Sequence, residues 1–218
     1  MNLNKLFTVK DKEEIADAVK SVERVSSGEI VPMIVRHSSS YKTIEIYFSI
    51  FCSLLFSTLT LLILDAKTFT IFNTFHKFMA FYIALLFAGF VIGALLFKIE
   101  KLRYMIIARH FKELKVHQAA QRSFFENGLY KTRHKTGIFI YISMFERKVV
   151  VIGDEGINSK LQQEDWDNAV KIIIDGIKIG KIKDGIVAGI KSCSEMLQKH
   201  FPIESDDTNE LSDEMIIK

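Results

Sequence analysis

Two stretches of this chain run for a full helix length without a charge. Residues 46–64, "IYFSIFCSLLFSTLTLLIL", give 19 such positions, and residues 78–97, "FMAFYIALLFAGFVIGALLF", give 20. At a rise of about 1.5 Å per residue, each spans a hydrocarbon layer about 30 Å thick. A pair of buried core helices is the competing reading, but soluble cores rarely go so long without a charge. The two runs therefore read as a transmembrane hairpin, with a link at 65–77 too short to be a domain. Gly89 and Gly93 form a G-x-x-x-G at helix spacing, read first as the face that meets the other helix.

Charge sets the orientation of such a hairpin. Arg36 and Lys42 precede it, and Lys98, Lys101, Arg103, Arg109, Lys112 and Lys115 follow it. The link offers Lys67 and Lys77 against Asp65, so the basic excess lies with both termini, which are expected in the cytoplasm. The first residues are charged and lack the apolar run of an export signal. Over the whole chain 29 basic side chains meet 26 acidic ones, a net +3 that gives no reason to expect nucleic acid. Cys52 and Cys193 lie far apart and suggest neither a disulfide framework nor a metal site.

The flanks of the hairpin read as one α/β domain. Thr8 is an N-cap, and Ile15, Ala18, Val19 and Val22 fall on one helical face. A strand over 30–36 follows, where Pro32 argues for an edge position or irregular pairing. Residues 102–127 read as one long basic helix with a stripe of Ile107, Phe111, Leu114, Ala120 and Phe124. Its Arg103, Arg109 and Lys112, with Lys115 and Arg122, are candidates for anionic lipid headgroups. Strands over 138–144 and 148–152 are joined by "FERK" as a hairpin. Ser159 with Gln162 reads as a capping box for a helix burying Trp166, Val170, Ile173, Ile174 and Ile177, closed by Gly180. A last helix carries Ile186, Ile190, Cys193 and Leu197.

One strand before the hairpin and two after it cannot make separate sheets. Residues 1–43 and 99–203 are therefore expected to fold together, with 44–98 as the inserted hairpin. Residues 204–218 form an acidic tail expected to be mostly mobile.

In order and spacing, several short motifs resemble the TPM-domain family, in its membrane-anchored bacterial branch. They are "SSGEIVPMIVR", the run "FFENGLYKTRHKTGIFIYISMFERKVVVIGDEGI", Trp166, "DGI" from Asp184, "HFP" from His200 and "NEL" from Asn209. The resemblance implies a Rossmann-like α/β/α sandwich interrupted by a membrane hairpin, in a bacterial inner membrane. It implies either an accessory role toward a membrane protein, such as a LemA-type partner, or a phosphatase supported by Ca²⁺ or Mg²⁺.

The chemistry-bearing residues fit either role. Asp154 and Glu155 stand where a strand ends, a usual place for α/β ligand sites, and oxygen ligands there suit Mg²⁺ or Ca²⁺. Asp154 is the candidate metal ligand. The plainer reading is a solvated turn between Gly153 and Gly156. Glu146 and Arg147 read as a charged hairpin turn, with Arg147 able to steady an anion. Asp184 reads as a helix cap or as a third carboxylate of the site. No phosphate-binding glycine loop and no paired histidines occur.

Overall fold

The computed structural model describes residues 3–63, 75–203 and 207–218. The chain divides into two units, Met1–Ser39 with Lys112–Lys218, and Ser40–Phe111. Leu64, most of the link with Asp65 and Lys67, and tail residues 204–206 lie outside the described residues.

In the first unit, helix α1 (Val9–Glu23) starts where the sequence places it. The Thr8 hydroxyl accepts from the Asp11 N–H at 3.1 Å, and the Thr8 N–H donates to the Asp11 carboxylate at 2.8 Å. This reciprocal box satisfies two amides that a helix start leaves open. Ile15, Ala18, Val19 and Val22 are all buried. Strand β1 (Glu29–Val35) runs parallel to β2 (Gly137–Ser143), which pairs antiparallel with β3 (Lys148–Gly153). A two-residue strand β4 (Ile216–Ile217) lies parallel on the other side of β1, so the order is β3-β2-β1-β4.

Period-two alternation sorts the strands onto two cores. Ile30, Ile34, Ile138, Ile140, Ile142, Val149 and Val151 face one cluster with Ile15, Val19, Ile173, Ile186 and Ile190. Val31, Met33, Val35, Phe139, Tyr141 and Val150 face a second with Val116, Ala120 and Phe124. The helical partners in the first cluster lie on α1, α7 (Asp167–Lys178) and α8 (Ile182–Ser192); those in the second lie on α5 (Arg109–Glu126). The result is an α/β/α sandwich.

Several details correct the sequence reading. The basic helix is two helices, α4 (Glu100–Ile106) and α5, because Ile107 is extended at φ −75°, ψ 119°. The interruption resets the phase of the stripe: α5 buries Lys112, Val116, Ala120, Ser123 and Phe124, while Leu114 is 42% exposed. Ser159 does not cap the next helix. It ends the short α6 (Glu155–Asn158), and the box forms between Gln162 and Asp165 in the turn leading to α7. Gly180, at φ 77°, closes α7 with Gly180 N–H to Ile177 O and Lys181 N–H to Gly176 O, a Schellman cap. The final helix is likewise split into α8 and α9 (Ser194–His200) at Cys193. The end of the acidic tail supplies β4, and Met215 enters the first core.

Pro32 sits in an inner strand rather than at an edge. The Glu29 N–H and Val35 C=O bond toward β2, so alternate residues Ile30, Pro32 and Ile34 turn their amides the other way. On that row β4 pairs only beside Met33 and Ile34, and a residue lacking an N–H leaves no donor unmatched. The remaining donor, Ile30 N–H, goes to the Glu23 carboxylate at 3.0 Å.

Glu23 pays for that position in proton affinity. Burial, and then the nearby charges of Glu29 and Asp213, push its pKa from 4.5 up to about 8, against the lowering effect of the Ile30 bond. A raised carboxyl pKa means that the folded state holds the proton more tightly. Its contribution is full below pH 4.5 and lost as pH rises to about 8. Glu23→Gln keeps an acceptor for Ile30 without the charge. It is expected to flatten this decline and to stabilise the unit at pH 9 by about 2 kcal/mol, after allowance for partial exposure. Thermal unfolding of wild type and variant in nonionic detergent at pH 5 and pH 9 checks this; parallel curves would refute it.

The second unit holds helices α2 (Lys42–Ile63) and α3 (Phe75–Phe97), both long and apolar enough to cross a membrane. Their facing residues are small. Ser49, Ser53 and Ser57 are buried on α2, and Gly89 and Gly93 on α3. The Ser53 hydroxyl donates across the pair to Leu86 O at 2.6 Å.

Candidate functional site

β1 and β2 run parallel, so their carboxyl ends meet at one end of the sheet, where α/β folds place ligands. There the β2–β3 turn, residues 144–147, closes with Arg147 at φ 54°. Arg147 points to solvent, but Glu146 is 1% exposed. The Ser38 N–H donates to its two oxygens at 3.0 and 3.2 Å, and the Ser143 hydroxyl donates to Oε2. Ser38 Oγ donates to Ser143 Oγ at 3.0 Å and is hydrogen-bonded to the Tyr141 hydroxyl at 3.2 Å. Burial, with a smaller push from the Glu146 charge, raises the Tyr141 pKa despite the Ser38 bond.

This network fixes the loop after β1 rather than offering a nucleophile. Ser143 is 1% exposed, and both serine hydroxyls are committed inside the cluster. The reading of "FERK" as a turn holds, but Glu146 is an interior anchor and not a solvated turn residue. Lys112 is 6% exposed and so does not present itself to lipid headgroups. Burial first, then the Arg147 charge, lowers its pKa, while Glu146 raises it. Arg109 is exposed and Arg103 half-buried.

Asp154 and Glu155 lie at the other end of the same hairpin. Gly153 pairs with Ile138 at the start of β2, and the Asp154 N–H donates to Gly137 O at 2.9 Å. Asp154 caps α6, accepting from the Glu155 N–H at 2.8 Å. Glu155 pairs with Lys135 at 3.1 Å. Gly156 is required by close approach, since a Cβ there would lie 2.4 Å from His134 O. Asp184 is held by Lys183 at 2.7 Å, and Lys183 also bonds Glu14 of α1 at 2.6 Å. Those bonds, to Asp184 first and then to Glu14, raise the Lys183 pKa. The proposed carboxylates are thus engaged in separate local contacts. Among the described residues, no group of three or more histidines, cysteines or carboxylates could hold a metal ion.

Sequence reasoning missed Ser38, Tyr141, Ser143 and Glu29. Alternation along "GIFIYIS" puts Tyr141 and Ser143 on one face, which was the available signal. Glu29 opens β1 at 5% exposure and accepts from the Glu210 and Leu211 N–H groups at 3.4 and 3.2 Å. Burial is the main cause of its raised pKa. It ties the returning tail to the sheet, a long-range role no local pattern announces.

Residues 102–196 match the sequence model of the TPM domain. Comparison with curated protein sequences finds no match. Among solved structures, the chain is similar to the NMR structure of BA42 protein from the psychrophilic bacterium Bizionia argentinensis. The TM-score is 0.59 at 20% identity, covering 97% of this chain and 95% of that one. At that identity the likeness concerns the fold, and it agrees with the sandwich described above. In sequence over 102–196, and in fold, the chain is thus similar to the TPM domain.

Proposed function

We propose that this chain is an integral membrane protein whose TPM domain lies in the cytoplasm and acts as a binding module for a membrane-protein partner. The observation that carries this reading is the inverted pattern of the helical hairpin. Serines and glycines line its inside, while Phe51, Leu55, Phe87 and Leu95 are 60%, 48%, 69% and 57% exposed. A helix pair in water would bury such side chains; a pair in lipid has no reason to. The residue chemistry adds that buried Glu146 serves the loop, and that Asp154, Glu155 and Asp184 serve a cap and two ion pairs. The partner class is a second membrane protein, LemA-type by the family resemblance.

The chain is expected to stay in the membrane pellet through alkaline carbonate washing and to leave it only with detergent. Release by carbonate alone would refute the anchor. Reporters fused after Lys218 should read as cytoplasmic. Purified full chain with p-nitrophenyl phosphate and Mg²⁺ or Ca²⁺ should turn over no faster than Asp154→Ala. Turnover lost in a folded Asp154→Ala protein would establish the phosphatase reading instead.

A further inference from the structure

Beside the carboxyl ends of β1 and β4, the flank of α5 leaves an open groove of about 690 Å³. That size lies within the range of small-ligand sites, about 300–1,000 Å³. Its floor is the second sheet face, Met33, Val35 and Tyr141. Its walls bring together Arg36 and His37 from the β1 end, Lys115 and Arg122 from α5, and Lys218 after β4. Glu126 is the single side-chain carboxylate of that lining, facing four permanent cations and a histidine. It bonds Arg122 at 3.0 Å and lies 3.9 Å from Lys218, so it orients two of them. Lys115 donates to the neutral Gln118 amide at 3.1 Å.

The groove is also held in shape. Ser38, beside Arg36 and His37, is locked by Glu146, Ser143 and Tyr141. The Arg36 N–H donates to Lys218 O at 3.2 Å, which ties the β1 end to the chain beyond β4. Cations drawn from three separate segments onto a fixed floor favour a compact, multiply charged anion, for which a guanidinium fork is the best partner.

We propose that this groove binds a phosphate-bearing anion. The inference goes beyond membrane anchoring and partner binding and does not depend on either. Asp154 and Glu155 lie at the opposite end of the sheet, so the groove is assigned binding and not hydrolysis. The phosphate has two sources, a free phosphorylated metabolite or the headgroup of an anionic lipid.

The test uses the full chain in nonionic detergent, titrated with sodium phosphate against sodium chloride at equal ionic strength and followed by backbone NMR. Saturable shifts are expected at residues 36–39 and 115–122, with phosphate and not with chloride. Arg122→Ala should weaken binding about tenfold, and Lys115→Gln should weaken it as well. Lys178→Ala on α7 should leave it unchanged. A second arm places the chain in phosphatidylcholine nanodiscs with or without phosphatidic acid. Shifts of the same amides with phosphatidic acid alone assign the lipid source; saturation by free phosphate assigns the soluble one. No saturable shift in either arm overturns the proposal, as does equal weakening by Lys178→Ala.

Discussion

Trp166→Ala is expected to destabilise the sheet-containing unit by about 4 kcal/mol. The indole is 2% exposed and packs in the first core, where the 3-10 turn Gln163–Trp166 passes into α7. Truncation removes the largest fully buried side chain and leaves a cavity between the sheet and its helices. A loss of that size is a large share of the roughly 5–15 kcal/mol that holds a domain folded. Glu164→Ala, two residues away and exposed, should change stability by less than about 0.5 kcal/mol. Thermal unfolding of the full chain in nonionic detergent, followed by near-ultraviolet dichroism of the tyrosines, separates the two. Equal melting temperatures for both variants would show that Trp166 is no core residue.

Gly93→Leu is expected to force α2 and α3 apart. A Cβ at Gly93 would lie 2.7 Å from Ser49 Cα and 2.9 Å from Cys52 Cβ. These are backbone and near-backbone atoms that no rotamer change can withdraw. Overpacking of this kind costs about 1–3 kcal/mol where neighbours can relax, and more where they cannot. The Ser53 to Leu86 bond, four residues along the same seam, should open with it. Faster amide exchange is expected through both helices, with β1 and β2 of the other unit unchanged. Ile92→Leu, at a 40% exposed position on α3, serves as the control. Unchanged exchange in Gly93→Leu would mean that the helices do not meet along this seam.

A binding role and a phosphatase role ask different things of the same residues. Metal-assisted hydrolysis needs carboxylates that converge. Here Asp154 caps a four-residue helix, Glu155 pairs with Lys135, and Asp184 pairs with Lys183. Anion binding in the proposed groove needs only a held loop and convergent cations, and Glu146 with Ser38 provides the first of these.

Local signals carried far in this chain. The Thr8 N-cap, the apolar faces of α1, α7 and α8, the "FERK" turn and the Gly180 cap all depend on neighbours within a turn or a ladder. Sequence spacing records such neighbours directly. The uncharged runs were as plain, since their meaning depends only on length and the absence of charge.

What remained hidden were contacts between residues far apart in the chain. Glu146 read as part of a charged hairpin turn, yet Ser38, 108 positions earlier, draws it inward. The acidic tail read as unstructured, yet its last residues pair with β1 because that strand still had amides to satisfy. The sequence by itself determined α1, strands β1 to β3, the apolar faces of α1, α7 and α8, and the presence of two membrane-length helices. Only the tertiary structure decided that Glu146 turns inward onto Ser38, and that Arg36, Lys115, Arg122 and Lys218 share one groove. Spacing along a chain fixes local geometry, whereas convergence depends on how distant segments satisfy one another's buried surface and open hydrogen bonds.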